Sequence, residues 1–423
     1  MVKWLYLLLF STVHFFVSAQ KVISITIDGT INPASASFIK RSITKATEEN
    51  AECLLIKLNT PGGLLKSTRV IAGDILQSAV PVVVYVWPAG AHAGSAGVFV
   101  TLAAHIAAMA PGTNIGAAHP VSAQGGLDTT MDKKATNDAV AFVRTLAEKR
   151  NRNIEWAEDA VRKSASISAS DAVTMKVIDL VSPNTKDLLQ KINGRTVEIP
   201  NGTATLRTSN ASVQEMEMGF MEKLLNIISN PNVAYILMML GFYGLFFELS
   251  SPGAIFPGVV GVICLILAFY AMHTLPINYA GLGLIIFGLI LLLLEIKVTS
   301  GGLLAIGGVL SLLLGSFMLI DPDKTIEVFK ISRTVIVATT AVTAFFFLIL
   351  VGYGLKAQKG PTITGIDGMK GQIGVVLERL QPSGSILVQG EIWKAQTAGG
   401  VIEEGKNVRV IEVKNFIVLV EPV

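Results

Sequence analysis

The pattern of apolar and polar positions changes character several times along the chain. Residues 4–17 form an apolar run broken only by Ser11, Thr12 and His14, behind a single basic residue, Lys3. Val17-Ser18-Ala19 then places small residues just before Gln20. This reads as a secretory signal peptide, residues 1–19, cut after Ala19. An uncleaved anchor helix is the alternative, and it too places the next domain outside the cytoplasm.

From Lys21 the texture is that of a soluble domain. Val22-Ile23-Ser24-Ile25-Thr26-Ile27 alternates as a strand, and 53–58 is a buried apolar strand. Residues 81–87 are rich in valine and read as a third strand. Between them, 33–50 and 67–78 have helical spacing. This alternation predicts an α/β crossover sheet over residues 20–185. Residues 135–150 form an amphipathic helix with Ala139, Phe142, Val143 and Leu146 on one face. The stretch 186–232 is more polar and reads as a linker with a small hairpin at Asn201-Gly202.

Residues 233–355 carry five apolar segments: 233–249, 255–273, 279–296, 301–320 and 334–355. They predict a polytopic α-helical membrane domain. The first is short and the fourth is rich in glycine, so either could be re-entrant. With the first domain outside, five spans leave the C-terminus inside, which agrees with Lys356 and Lys359 after the last span. Lys324, Lys330 and Arg333 in the preceding loop, beside three acids, weigh against that orientation. Residues 365–423 return to short strands punctuated by glycine and predict an all-β barrel of the OB type.

Composition sharpens this picture in a few places. The chain is 51% hydrophobic and 15% charged, and the excess sits in the leader and the membrane block. A net charge of +3 without a basic run gives no reason to expect nucleic acid as a partner. Cys53 lies in a strand and Cys264 in a membrane segment, so no disulfide and no metal site is expected. Glu248 and Glu295 stand near the ends of spans, which disfavours a transporter.

Candidate chemistry lies in the first domain. Asn59-Thr60-Pro61-Gly62-Gly63-Leu64 follows a buried strand, and paired glycines there let N–H groups turn toward a ligand. Taken alone it reads first as a tight strand-to-helix turn. Ala89-Gly90-Ala91-His92-Ala93-Gly94-Ser95-Ala96-Gly97 also follows a strand. It puts Ser95 among small residues at the start of an apolar helix, either as an exposed nucleophile or as a simple N-cap. Residues 110–120 make another strand-and-turn unit ending in His119. Asp132-Lys133-Lys134-Ala135-Thr136-Asn137 opens the amphipathic helix. A helix N-terminus and a dry cleft would both favour a neutral lysine able to take a proton. A solvated surface lysine is the plainer alternative.

The joint order of these motifs resembles the long form of the NfeD membrane proteases. It runs T-P-G-G, small-rich G-x-x-x-x-S-A-G, A-P-G-T-x-I-G-A-A-x-P, then K-x-T-N opening a helix. Their catalytic domain is similar to the Clp protease proteolytic subunit and signal peptide peptidase A. The C-terminal G-x-x-G-x-x-G, G-E-x-W-x-A and I-x-x-G-x-x-V-x-V pattern resembles that family's OB domain. The resemblance implies a Clp/crotonase-like α/β fold with Ser95 as nucleophile and Lys134 as general base. It implies the backbone N–H groups of Gly63 and Ala96 as the oxyanion hole, and no cofactor. It also implies self-association, apolar peptide or membrane-protein substrates, a stomatin- or flotillin-like partner, and contact with membrane lipid.

The chain departs from the pattern at two histidines. His92 stands where a small residue is usual. His119 has a spacing from Ser95 like that of the histidine in the Clp subunit's triad, so a Ser95–His119 pair is the alternative. Lys133 competes with Lys134 but points about 100° away on a helix. A different class of function is also open: a non-catalytic membrane scaffold built on the same fold. The presence of both Ser95 and Lys134 argues against it.

Overall fold

The computed structural model describes residues 20–120, 129–250, 253, 255–272, 277–298, 300–320, 330–358 and 366–423. The expected signal peptide, most of the loop before the fifth apolar segment, and Lys359 lie outside the described residues.

The first domain runs β1 (Lys21–Asp28), α1 (Pro33–Glu48), β2 (Cys53–Asn59), α2 (Leu65–Leu76), β3 (Val82–Val86), β4 (His92–Gly94), α3 (Ala96–Ala103), β5 (Ile106–Met109) and β6 (Asn114–Gly116). It continues with α4 (Thr129–Lys149), α5 (Ile154–Arg162), β7 (Ser166–Ser168), α6 (Ala169–Thr174), β8 (Leu180–Val181) and α7 (Thr185–Ile192). Then come β9 (Thr196–Ile199), β10 (Gly202–Thr205), β11 (Ser212–Glu215) and α8 (Phe220–Ile228). Six strands form a parallel sheet in the order β11-β1-β2-β3-β5-β8. A small sheet, β4-β6-β7, stands beside it.

A parallel sheet needs cover on both faces, and successive residues of one strand supply both. Ile23, Ile25, Leu54, Ile56, Val82 and Val84 join the core beneath α1 to α5. Val22, Cys53, Leu55, Val83 and Tyr85 join a second core with Leu188, Leu189 and Ile192 of α7. The alternation read in β1 predicts Ser24 on a polar face. Ser24 is instead wholly buried, because the second face of the sheet is covered as well.

The stretch 186–232, expected as a linker, carries ordered structure. β9 and β10 pair as the expected antiparallel hairpin. β11 extends the main sheet parallel to β1, with Lys21 opposite Ser212 and Ser24 opposite Glu215. Its polar texture reflects an edge position, since all four residues of β11 are exposed.

Apolar helices stand at the five expected places: α9 (Pro231–Ser250), α10 (Ile255–Met272), α11 (Tyr279–Lys297), α12 (Leu303–Leu319) and α13 (Arg333–Gln358). Among the described residues, α9, α10 and α11 are each long and apolar enough to cross a membrane. α12 and the part Arg333–Phe347 are shorter apolar helices. Small residues let these helices touch backbone to backbone. A Cβ on Gly244 of α9 would fall 2.4 Å from the Pro257 carbonyl oxygen, and one on Gly281 of α11 2.6 Å from the Leu319 nitrogen. Glu295 accepts a hydrogen bond from the Ala305 N–H at the start of α12, which is a structural use for that acid.

The C-terminal strands β12 (Ile373–Glu378), β13 (Ser383–Val388), β14 (Glu391–Thr397), β15 (Asn407–Lys414) and β16 (Ile417–Pro422) close into a barrel in the order β12-β13-β14-β16-β15. Val376, Ile386, Val388, Val408, Val410, Val418 and Val420 fill it. The expected succession holds: an α/β domain with a parallel crossover sheet, a helical membrane domain and a closed five-stranded barrel of the OB type.

Candidate active site

The glycine-rich segments meet beyond the carboxyl ends of β2 and β3, where open parallel sheets present their ligand sites. The turn after β2 is fixed by Thr60, which is buried. Its Oγ1 donates to the Gly62 carbonyl at 3.0 Å and accepts from the Gly62 N–H at 3.1 Å. Its backbone pairs with β4: the Thr60 N–H donates to His92 O, and the Gly94 N–H to Thr60 O. The small residues around Ser95 make this approach possible. A Cβ on Gly97 would lie 2.8 Å from Thr60 Cγ2, and one on Gly94 3.1 Å from Pro61 O.

Ser95 sits between β4 and α3 with φ 48 and ψ −106. A non-glycine residue in that region carries strain of order 1–3 kcal/mol, which the surroundings must impose. Here the Ser95 N–H is tied to the Gly116 carbonyl at 3.1 Å, which brings β6 to the site. The Ser95 side chain makes no capping hydrogen bond, so the simple N-cap role does not hold. Its hydroxyl is half-buried at the head of the helix and has no hydrogen-bond partner among the described residues.

Two backbone donors stand open beside it. The N–H groups of Gly63 and Ala96 donate to no acceptor among the described residues. Gly63 is held by close backbone packing: a Cβ there would lie 2.1 Å from the Ile31 carbonyl oxygen. The Ile31 N–H donates to Gly62 O and the Leu64 N–H to Ile31 O, so the turn is clamped on both sides of Gly63.

The two base candidates differ in setting. His119 is half-buried, and its Nδ1 lies 2.9 Å from the Val161 carbonyl. A carbonyl only accepts, so Nδ1 carries the proton, and Nε2 has no partner among the described residues. Lys134 lies near the start of α4, exposed, without a hydrogen bond among the described residues. Neither side chain is bonded to Ser95. Lys133 is exposed as well.

Three family descriptions match the chain in tandem. The NfeD1b N-terminal domain covers residues 21–216, the NfeD integral membrane domain 232–352, and the NfeD-like C-terminal, partner-binding domain 366–422. The membrane-bound protease PH1510 of Pyrococcus horikoshii is 36% identical over 403 residues, covering 93% of this chain and 91% of that protein. The chain belongs to the NfeD family. The membrane protein NfeD1b of Bacillus subtilis is 31% identical over 425 residues, covering 96% and 93%. Among solved structures, a mutant of the 1510-N membrane-bound stomatin-specific protease in complex with a substrate peptide is 34% identical. It covers 50% of this chain and 99% of its own, with a TM-score of 0.46. This NfeD chain is a protease and an integral membrane protein.

In this NfeD chain, the sequence motifs miss the contacts that hold the site elements together. Arg69 on α2 bonds Asp138 on α4 at 2.5 Å and lies 4.4 Å from the centroid of the Phe142 ring. Phe142 in turn stacks on Phe99 of α3, with centroids 5.5 Å apart. One Arg-Phe-Phe column thus joins the helix after the Gly62-Gly63 turn, the helix after Ser95 and the helix bearing Lys134. At the far end of α3, Arg152 donates to the carbonyls of Thr101, Leu102 and Ala104 and to Asp179. A cation there satisfies the helix's terminal acceptors and complements its dipole. The only local signal was Phe142 on the apolar face of α4. Nothing in the sequence around Arg69 or Arg152 announces these contacts.

Proposed function

We propose that this chain is a membrane-bound serine endopeptidase that cuts apolar segments of membrane or exported proteins through Ser95 and Lys134. The observation that carries it is the strained, uncapped Ser95 beside two N–H groups that have no acceptor among the described residues. Lys134 Nζ takes the Ser95 Oγ proton as the oxygen attacks the scissile carbonyl. The N–H groups of Gly63 and Ala96 hold the resulting oxyanion. The Lys134 ammonium then gives its proton to the departing amine, leaving an acyl ester on Ser95. Water, deprotonated by Lys134, hydrolyses that ester and frees the enzyme. In the free chain the amine faces solvent, so this reading requires it to close on Ser95 when the peptide covers the cleft.

The setting of His119 favours lysine. A Ser-His mechanism wants a carboxylate on Nδ1 to stabilise the imidazolium, and His119 has a backbone carbonyl there. Reconstituted wild type should cleave an apolar peptide and be acylated by a serine-directed probe. Ser95→Ala and Lys134→Ala should each reduce cleavage by at least 100-fold, while His119→Ala keeps most of it. Dead His119→Ala with active Lys134→Ala would reverse the assignment. Wild type that neither cleaves nor takes the probe would favour the scaffold role.

The relatives' names make a stomatin-like protein the partner and substrate source of choice, with the C-terminal barrel as the docking domain. We place the protease domain outside the cytoplasm and the barrel inside. A reporter fused after Val423 tests the second placement.

A further inference from the structure

The helix α8 wears its apolar face outward. Glu222 is buried and forms a two-point ion pair with Arg41 of α1, at 2.9 and 2.5 Å, while the Gly219 N–H donates to the same carboxylate. Asn226 accepts a hydrogen bond from Asn32 at 2.8 Å, again toward the protease domain. On the opposite side Phe220 is 81% exposed, Met221 63% and Ile227 56%, with Leu224 partly open beside them. Phe220, Leu224 and Ile227 share one helical face by their spacing, and Glu222 and Asn226 lie across from it. A surface helix of a soluble domain has the reverse arrangement.

Its position says what covers that face. After a two-residue link, Pro231 begins α9, one of the helices long and apolar enough to span a membrane. α8 touches both α9 and α10. We infer that α8 is an interfacial helix whose Phe220, Met221, Leu224 and Ile227 seat in the boundary between lipid headgroups and acyl chains. An apolar helix face beside a membrane span binds that zone by burying its large side chains. A second copy of the chain is the less suitable occupant. One face of a nine-residue helix falls well short of the about 800 Å² per partner of a stable protein interface. The proposal is independent of which residue acts as base. The same helix is bonded to Asn32, next to the Ile31 that clamps Gly63, so the lipid seat sets the height of the active-site turn above the bilayer.

The test uses the full chain in lipid nanodiscs, in a Cys264→Ser background where Cys53 stays buried. An environment-sensitive fluorophore is placed on Phe220→Cys, Ile227→Cys or Asn226→Cys, one at a time; Asn226 is exposed and lies across the helix from the apolar face. Nitroxide lipids labelled at carbonyl depth should quench the 220 and 227 probes at least threefold more than the 226 probe. Aqueous iodide should quench them in the opposite order. Two positions keep the test sound if one label disturbs the helix. Equal iodide access at all three positions overturns the proposal. So does protection from iodide without quenching by nitroxide lipid, or protection lost at one chain per disc, either of which assigns the face to protein.

Discussion

Gly62 stands so close to Ser95 that a Cβ added to it would fall 2.8 Å from Ser95 Cβ and 3.2 Å from Ser95 Oγ. The turn after β2 and the bend before α3 are therefore one unit. Gly62 also has φ 132, where a side chain is strained whatever the space. Gly62→Ala should lower peptide cleavage by at least tenfold and cost about 1–3 kcal/mol of stability through overpacking and backbone strain. Steady-state cleavage and thermal unfolding of the purified chain check both. Wild-type activity in that variant would mean the two segments do not meet in solution.

Strain at Ser95 predicts an exchange of stability for activity. Ser95→Gly and Ser95→Ala should both be inactive. Glycine, however, adopts φ 48 freely, while alanine keeps the strain. The glycine variant should be the more stable of the two by about 1 kcal/mol. Denaturant unfolding of the pair, side by side, measures the difference. An alanine variant as stable as the glycine variant would place no strain at this residue.

The Arg69–Asp138 pair offers a separation of catalysis from stability. Both side chains are partly exposed, 38% and 65%, so the ion pair itself contributes about 1 kcal/mol or less. Its value lies in fixing α4 against α2. Arg69→Met and Asp138→Asn should each lower kcat several-fold with little change in KM or melting temperature. The double variant should be no worse than either single one, because both break the same clamp. Fully additive losses would show that the two residues act separately.

His105 makes the first domain sensitive to acid. It is buried beside Arg150 and Arg152, and burial first, then the two cations, pull its pKa from 6.5 to about 3. Its Nδ1 accepts the Val82 N–H at 3.1 Å, so the folded state needs the neutral ring. The unfolded chain binds a proton below about pH 6.5 and the folded chain does not until about pH 3. Stability should therefore decline steadily as pH falls through that window, and be unaffected by this group above it. His105→Asn keeps an acceptor for Val82 without the titration and should flatten the decline. An unchanged slope in that variant would assign the acid loss to other groups.

Much of this architecture was legible before any coordinates. The strands at 22–27, 53–58 and 81–87, the amphipathic helix of α4, the five apolar helices and the barrel strands all rest on local periodicity. Periodicity is local because it reflects which face of a short element meets apolar surroundings. The gathering of small residues around Ser95 was readable too, since a close approach of backbones leaves a mark in composition. Polarity misled at the edge, where β11 looks like a linker because an edge strand in water is polar on both sides. It misled at Ser24, which is buried by a second layer of helix that no local pattern announces.

By itself, the amino-acid order determined the kinds of element, their succession and the short list of reactive side chains. Only the tertiary structure decided which of them touch. It joined Gly62 to Ser95 across 33 positions, Arg69 to Asp138 across 69, and Asn32 to Asn226 across 194. It also turned the apolar face of α8 outward. Such contacts depend on how whole layers stack, and neither partner carries a sign of the other in its own neighbourhood.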